Sequence, residues 1–148
     1  ATELNEEAAE LYRGRGRKGV LQVALNNLGW SALIRGDHRK AEALHEECLV
    51  LCRELGDKLI GAESIEGFAC AAGAGGAAER AARLFGAAEA LREAAGNQQA
   101  ARAHALREPY LAAARARVDE ATWSAAWEKG RTMEFEGAVV YALEDTDG

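Results

Sequence analysis

His45, Cys48 and Cys52 stand at i, i+3 and i+7, a spacing that puts all three on one side of a helix. An imidazole and two thiolates form a zinc-type ligand set that lacks one donor, which Cys70 or His104 would have to bring. The same positions also suit a helix interior, since a free cysteine packs as a small hydrophobe. The second reading is preferred, so no metal site and no cofactor are expected.

Other candidate chemistry is weaker. Gly73-x-Gly75-x-x-Ala78 has the form of a dinucleotide-binding glycine loop, but that loop requires a strand before it and a helix after it. Residues 65 to 72 carry a helical pattern instead, and no Gly-Lys-Ser/Thr follows to cradle a phosphate. The three histidines, His38, His45 and His104, have no nucleophile turn beside them. Carboxylates cluster as Glu6, Glu7 and Glu10 and as Glu46, Glu47 and Glu54, where charged helix faces account for them. We expect a chain that is not an enzyme.

The elements that would position these residues are helices. Ala, Leu, Glu and Arg dominate, and they lose little rotamer freedom in a helix. Aromatic residues are only 6%, and β-branched residues never alternate, so a sheet has little to be built from. The fold class expected is all-α, with about seven helices.

An internal repeat orders them. Glycines recur 40 residues apart at Gly16, Gly56 and Gly96, each following a helical pattern where a left-handed cap is wanted. Ahead of them Ala1, Ala41 and Ala81 align, then Leu4, Leu44 and Leu84, then Ala8, Cys48 and Ala88, then Leu11, Leu51 and Leu91. In the preceding helix Leu25 matches Ile65, Leu28 matches Phe68, Gly29 matches Ala69 and Ala32 matches Ala72, while Gly36 and Gly76 mark the turn. Small residues at Gly29, Ala41 and Cys48 let paired helices approach, and Asp37 is placed to cap the second helix.

This pattern, Leu25-x-x-Leu28-Gly29-x-x-Ala32 followed by Gly36-Asp37, Ala41 and Cys48, resembles the tetratricopeptide (TPR) motif. Phe85 falls at its large aromatic position, where the first unit has His45. The 40-residue period exceeds the usual TPR length of about 34 residues and is similar to the longer units of bacterial signalling ATPases. The stretches Leu84–Arg92, Trp127–Arg131 and Glu136–Glu144 resemble the C-terminal end of LuxR-family and STAND (NB-ARC-like) regulators. The resemblance implies an antiparallel helix-hairpin solenoid: a half repeat over 1–16, repeats over about 17–56 and 57–96, and capping helices over 101–148. Ala1 aligns with the start of a second helix, so the chain is expected to be a fragment. Beyond Gly96 the period fails. Pro109 is expected to kink a helix or open one, Asp119 to cap a helix bearing Trp123 and Trp127, and a last helix to run from about Phe135 to Leu143.

The resemblance also implies a function: a protein-interaction or sensor segment of a larger signalling ATPase or transcriptional regulator. Its partner would be a protein, a peptide or the other domains of the same full-length protein. Trp30 lies off the packing stripe of its helix, and with Asn26, Leu33, Glu66 and Cys70 it is expected to line a partner-binding groove. Those positions lack the lysines and arginines of a carboxylate clamp. The alternatives are a self-association module, with a homodimer covering Leu4, Ala8 and Leu11, and a small-molecule pocket near Phe68, Phe85, Trp123 and Trp127. A formal charge of -6 argues against direct nucleic-acid contact, and the basic cluster Arg13, Arg15, Arg17 and Lys18 reads as a solvated linker. No apolar run approaches the ~20 residues of a membrane span. Three cysteines give no disulfide framework, which fits a cytoplasmic setting.

Overall fold

The structure is a computed structural model that describes residues 6, 17–96 and 100–144, with side chains from residue 105 onward in the last stretch. The expected half repeat over 1–16, the cap at Gly16, the apolar face of Leu4, Ala8 and Leu11, and the side chain of His104 lie outside the described residues. Seven helices and no strand occur among those described: α1 (Lys18–Ile34), α2 (His38–Leu55), α3 (Lys58–Ala74), α4 (Ala78–Ala95), α5 (Ala100–Arg115), α6 (Glu120–Arg131) and α7 (Phe135–Leu143). The all-α expectation holds.

The repeat is visible in the backbone. Every boundary of α3 and α4 lies 40 residues after that of α1 and α2, as Lys58 follows Lys18 and Ala95 follows Leu55. The turn glycines are in register too. Gly56 and Gly96 both have φ 67°, while Gly36 and Gly76 have φ 83° and 98°, values that a Cβ makes costly. The helices that follow Gly36 and Gly56 are capped by aspartates, and the one that follows Gly76 is not. Asp37 accepts from Lys40 N at 3.1 Å and Asp57 from Ile60 N at 3.0 Å, each relieving one of the free N–H groups of a helix start. Ala77, at the start of α4, has no such side chain.

Neighbouring helices pack as hairpins, α1 on α2, α2 on α3 and α3 on α4. Leu25, Ala32, Ala41, Leu49, Ile65, Ala69 and Ala72 are buried along the seams. One hairpin cannot bury both of its faces, so stacking supplies the core. Asp57 does double service, because Gln22 Nε2 of α1 donates to it at 2.8 Å across the hairpin boundary.

The period ends after Gly96. α5 runs through Pro109 without ending, lies against α3 and α4, and is fixed to α1 by Tyr110, whose hydroxyl donates to Leu33 O at 3.0 Å. The helix packed most extensively on α4 is α6. There the backbones touch: a methyl on Gly86 would overlap the carbonyl of Trp127, and one on Gly130 would overlap that of Arg83 and reach 2.9 Å from Ala87 N. Asp119 caps α6 through Thr122 N at 2.7 Å. α7 then returns across α2, α3 and α4. Phe135 lies over Gly61, Glu136 pairs with Arg53 at 3.1 Å, and Tyr141 sits between the guanidinium groups of Arg80 and Arg83, each 4.9 Å from its ring centre.

Candidate functional site

The five expected groove residues lie on α1 and α3, with Asn26 and Glu66, and Trp30 and Cys70, at equivalent places of the two repeats. The structure does not leave them open. Asn26, Leu33, Glu66 and Cys70 are buried, and Trp30 is half-buried, set edge-on to His45 at 5.8 Å between ring centres. The expectation of an exposed groove at these residues is corrected. Tyr110 and Arg107 of α5 reach onto this side of the array, where Tyr110 bonds Leu33 O and Arg107 bonds Glu66.

Glu66 is the centre of that arrangement. Its Oε2 accepts from Arg92 Nη1 at 2.7 Å and from Arg107 Nη1 at 3.0 Å, with all three side chains almost wholly removed from solvent. Arg107 also reaches Glu89 at 3.3 Å; Glu89 and Glu93 in turn hold Arg131 of α6. The Arg131 guanidinium holds the Glu93 carboxyl below the usual carboxylate range. Glu63, whose Oε1 accepts from Asn26 at 3.4 Å, is pushed up by burial. The chain of charges therefore ties α3, α4, α5 and α6 together. Charges taken out of water cost several kcal/mol each unless they are paired, and here one carboxylate serves two guanidinium groups. The assigned positions themselves carry no lysine or arginine; the guanidinium groups that meet Glu66, those of Arg92 and Arg107, come from α4 and α5.

Some donors and acceptors in this region have no hydrogen-bond partner among the described residues. They are Asn26 Oδ1, Glu66 Oε1, Arg92 Nε and Nη2, and Arg107 Nε. Buried polar groups are usually satisfied by protein or by ordered water.

His45, Cys48 and Cys52 do share one side of α2, but each is spent on packing. The His45 ring is fully buried against Gly29 and Gly67, and its Nδ1 lies 3.0 Å from Ser64 Oγ. Burial pushes the imidazole down to about 3, so the ring is neutral. Cys48 Sγ donates to Gln22 O at 3.3 Å and Cys52 Sγ to Gln22 Oε1 at 3.2 Å. The Cys52 thiol is pushed up by its contact with Cys48 and by burial, and Cys70 chiefly by burial. All three cysteines are free, buried thiols. Among the described residues no three His, Cys, Asp or Glu side chains gather closely enough to hold a metal ion.

The cap residues hold a second feature. Trp123 packs on Phe85 at 6.4 Å and on Trp127 at 6.2 Å. Phe68 and Phe85 are core residues and do not line an opening. A cleft of about 310 Å³ opens beside them, between α5 and α6, lined by Arg107, Leu111, Arg115, Trp123, Trp127 and their neighbours. Sequence reasoning found the two tryptophans but not the arginines, because α5 falls outside the repeat and its register has no template.

Comparison with known protein families, curated proteins and solved structures finds no match to this chain. Among the described residues no helix is long and apolar enough to cross a membrane.

Proposed function

We propose that this chain is a non-catalytic protein-interaction segment, TPR-like in its helix pairing, that receives a partner on the side of its first repeat that the other described residues leave uncovered. One observation carries this reading. The face formed by Gly61, Arg83, Gly86, Ala87, Ala90 and Leu91 in the second repeat is closed by the chain's own α6 and α7, through Trp127, Gly130, Phe135 and Tyr141. The face 40 residues earlier, Leu21, Ala43, Glu46, Glu47, Val50 and Leu51, lines a groove of about 490 Å³, and Val50 is 40% exposed. Val20 and Val23 on α1 are exposed as well. Within the groove Ala43 and Val50 are the exposed apolar residues, and exposed apolar surface rimmed by polar residues is a feature of interaction sites.

The two faces differ in a way that describes the partner. Gly86 and Ala87 admit a helix backbone at contact distance, whereas Glu46 and Glu47 replace them in the first repeat. An occupant there keeps its backbone further away and offers apolar side chains beside a lysine or arginine that meets Glu46. The wider setting, a signalling ATPase or transcriptional regulator of the LuxR or STAND kind in a cytoplasmic compartment, rests on the resemblance of Leu84–Arg92, Trp127–Arg131 and Glu136–Glu144. In such a regulator the segment biases a switch by the difference in its affinity for a partner between two states, and by no more than that.

The test is recovery of partners from a bacterial lysate with three baits: the wild type, Val50→Asp and Trp30→Ala. A protein retained by the wild type and Trp30→Ala and lost with Val50→Asp is the expected result. Equal recovery from all three would remove the first-repeat face from the account. A second copy of the chain is the competing occupant, and the molar mass in solution separates the readings: a dimer that Val50→Asp dissociates would make this a self-association module.

A further inference from the structure

The outer face of α1 is separate from the groove beside Val50, where Leu21 is the α1 member of the lining. A stripe runs along it at steps of three and four residues: Val20, Val23, Asn27, Trp30 and Ile34. Val20, Val23 and Ile34 are 47%, 43% and 67% exposed, Asn27 is exposed and Trp30 is half-buried. Between Lys18 and Arg35 the helix carries no charged residue. A solvent-facing helix side ordinarily gathers charged and polar residues, so this one has the make-up of a seam.

The second repeat shows what covers such a face. The same places of α3 hold Ile60, Glu63, Gly67 and Cys70, none of them exposed. There α1 and α2 lie against α3, with Asn26 reaching Glu63 at 3.4 Å and the His45 ring resting on Gly67. The occupant within the array is therefore helical. Among the described residues no such helix precedes α1.

The stripe fits a second copy of itself. Asn27 is its midpoint, so a second α1 turned end for end sets Val20 against the second copy's Ile34 and the smaller Val23 against its Trp30. The two Asn27 side chains then face each other. A carboxamide both donates and accepts, so the pair can satisfy itself, and one asparagine in an apolar seam fixes register and strand number. No charge within the helix opposes the pairing. At its ends Lys18 is engaged by Glu54 at 2.9 Å, and Asp37 stands two residues after Arg35.

We propose that α1 is the seam of a two-fold homodimer, two copies pairing antiparallel through Val20, Val23, Asn27, Trp30 and Ile34 while the Val50 groove stays open on each. The seam is about 21 Å long, which places it at the small end of specific interfaces, so the dimer is expected to dissociate in the micromolar range.

Sedimentation of the whole chain over a range of concentrations is expected to show a monomer–dimer equilibrium. Val23→Glu introduces the side chain that α3 carries at the same place, and Ile34→Glu alters an exposed residue, so both variants are expected to keep the wild-type circular dichroism. Each change occurs twice in a two-fold dimer, and the dissociation constant is expected to rise about tenfold or more. Val50→Asp is expected to leave the dimer intact, which separates this seam from the partner groove. The native cysteines are buried, so Val20→Cys and Ile34→Cys report on orientation: mixed and oxidised they are expected to form a disulfide-linked dimer that neither forms alone. A monomer at every concentration would overturn the proposal. So would a dimer that survives both glutamate variants, one that Val50→Asp dissociates, or cysteine variants that cross-link only with themselves.

Discussion

Glu66 and Arg107 are 41 positions apart and meet at 3.0 Å, the carboxylate fully buried and the guanidinium only 6% exposed. That contact joins the second repeat to a helix lying outside the repeat pattern. Glu66→Gln keeps the shape and removes the charge that both Arg92 and Arg107 share. Buried ion pairs broken on one side cost about 3–5 kcal/mol. We expect a loss of stability of that order in urea unfolding, with the midpoint shifted at unchanged slope. A loss below about 1 kcal/mol, the range of exposed pairs, would contradict the burial of the network.

The imidazole of His45 gives a pH dependence whose sign follows from its direction of shift. The folded ring is held down to about 3 from an ordinary 6.5. Between those values the unfolded chain binds the extra proton and the folded chain does not, so stability falls as pH falls. Above the unfolded value the contribution is flat. From pH 7.5 to pH 5 the loss attributable to this ring is about 2 kcal/mol. Glu63, raised by burial, contributes in the opposite sense, so the comparison is between the wild type and His45→Gln. The variant is expected to be less stable at pH 7.5 but to lack this part of the slope. Parallel pH curves would show that the ring is not sequestered.

Glycine plays different parts at different places in the cap. Gly130→Ala drives a methyl into the Arg83 carbonyl, which belongs to α4 backbone and cannot step aside. Overpacking of this kind costs about 1–3 kcal/mol or more. Gly137→Ala, on α7, meets nothing within 4 Å, and is expected to be neutral or to stabilise by up to about 1 kcal/mol through helix propensity. Thermal unfolding of the two variants side by side checks both signs. Equal effects would mean that α4 and α6 do not touch at Gly130.

Much of the fold is legible in the sequence because the repeat writes each position twice. The caps at Gly56 and Gly96, the seam residues Leu25 and Ile65, and the capping role of Asp37 all follow from the 40-residue register. Asp119 and the helix from Phe135 to Leu143 are also readable, since caps and short apolar stretches are local signals. What fails is long-range. The place of Asn26, Leu33, Glu66 and Cys70 in a repeat helix points to a groove, and the pattern contains nothing to say that Arg92 and Arg107 meet Glu66 or that Tyr110 meets Leu33. Pro109 stands inside α5, so of its two expected parts the opening of a new helix is set aside.

The central claim, that the first-repeat face receives a partner, is tested most directly by a photo-crosslinking residue placed at Val50 and, as a control, at exposed Ile34. The account predicts a covalent adduct with a distinct protein from position 50, absent from position 34 and suppressed by excess unlabelled chain. Adducts formed only with the chain itself, or none from position 50, would contradict it.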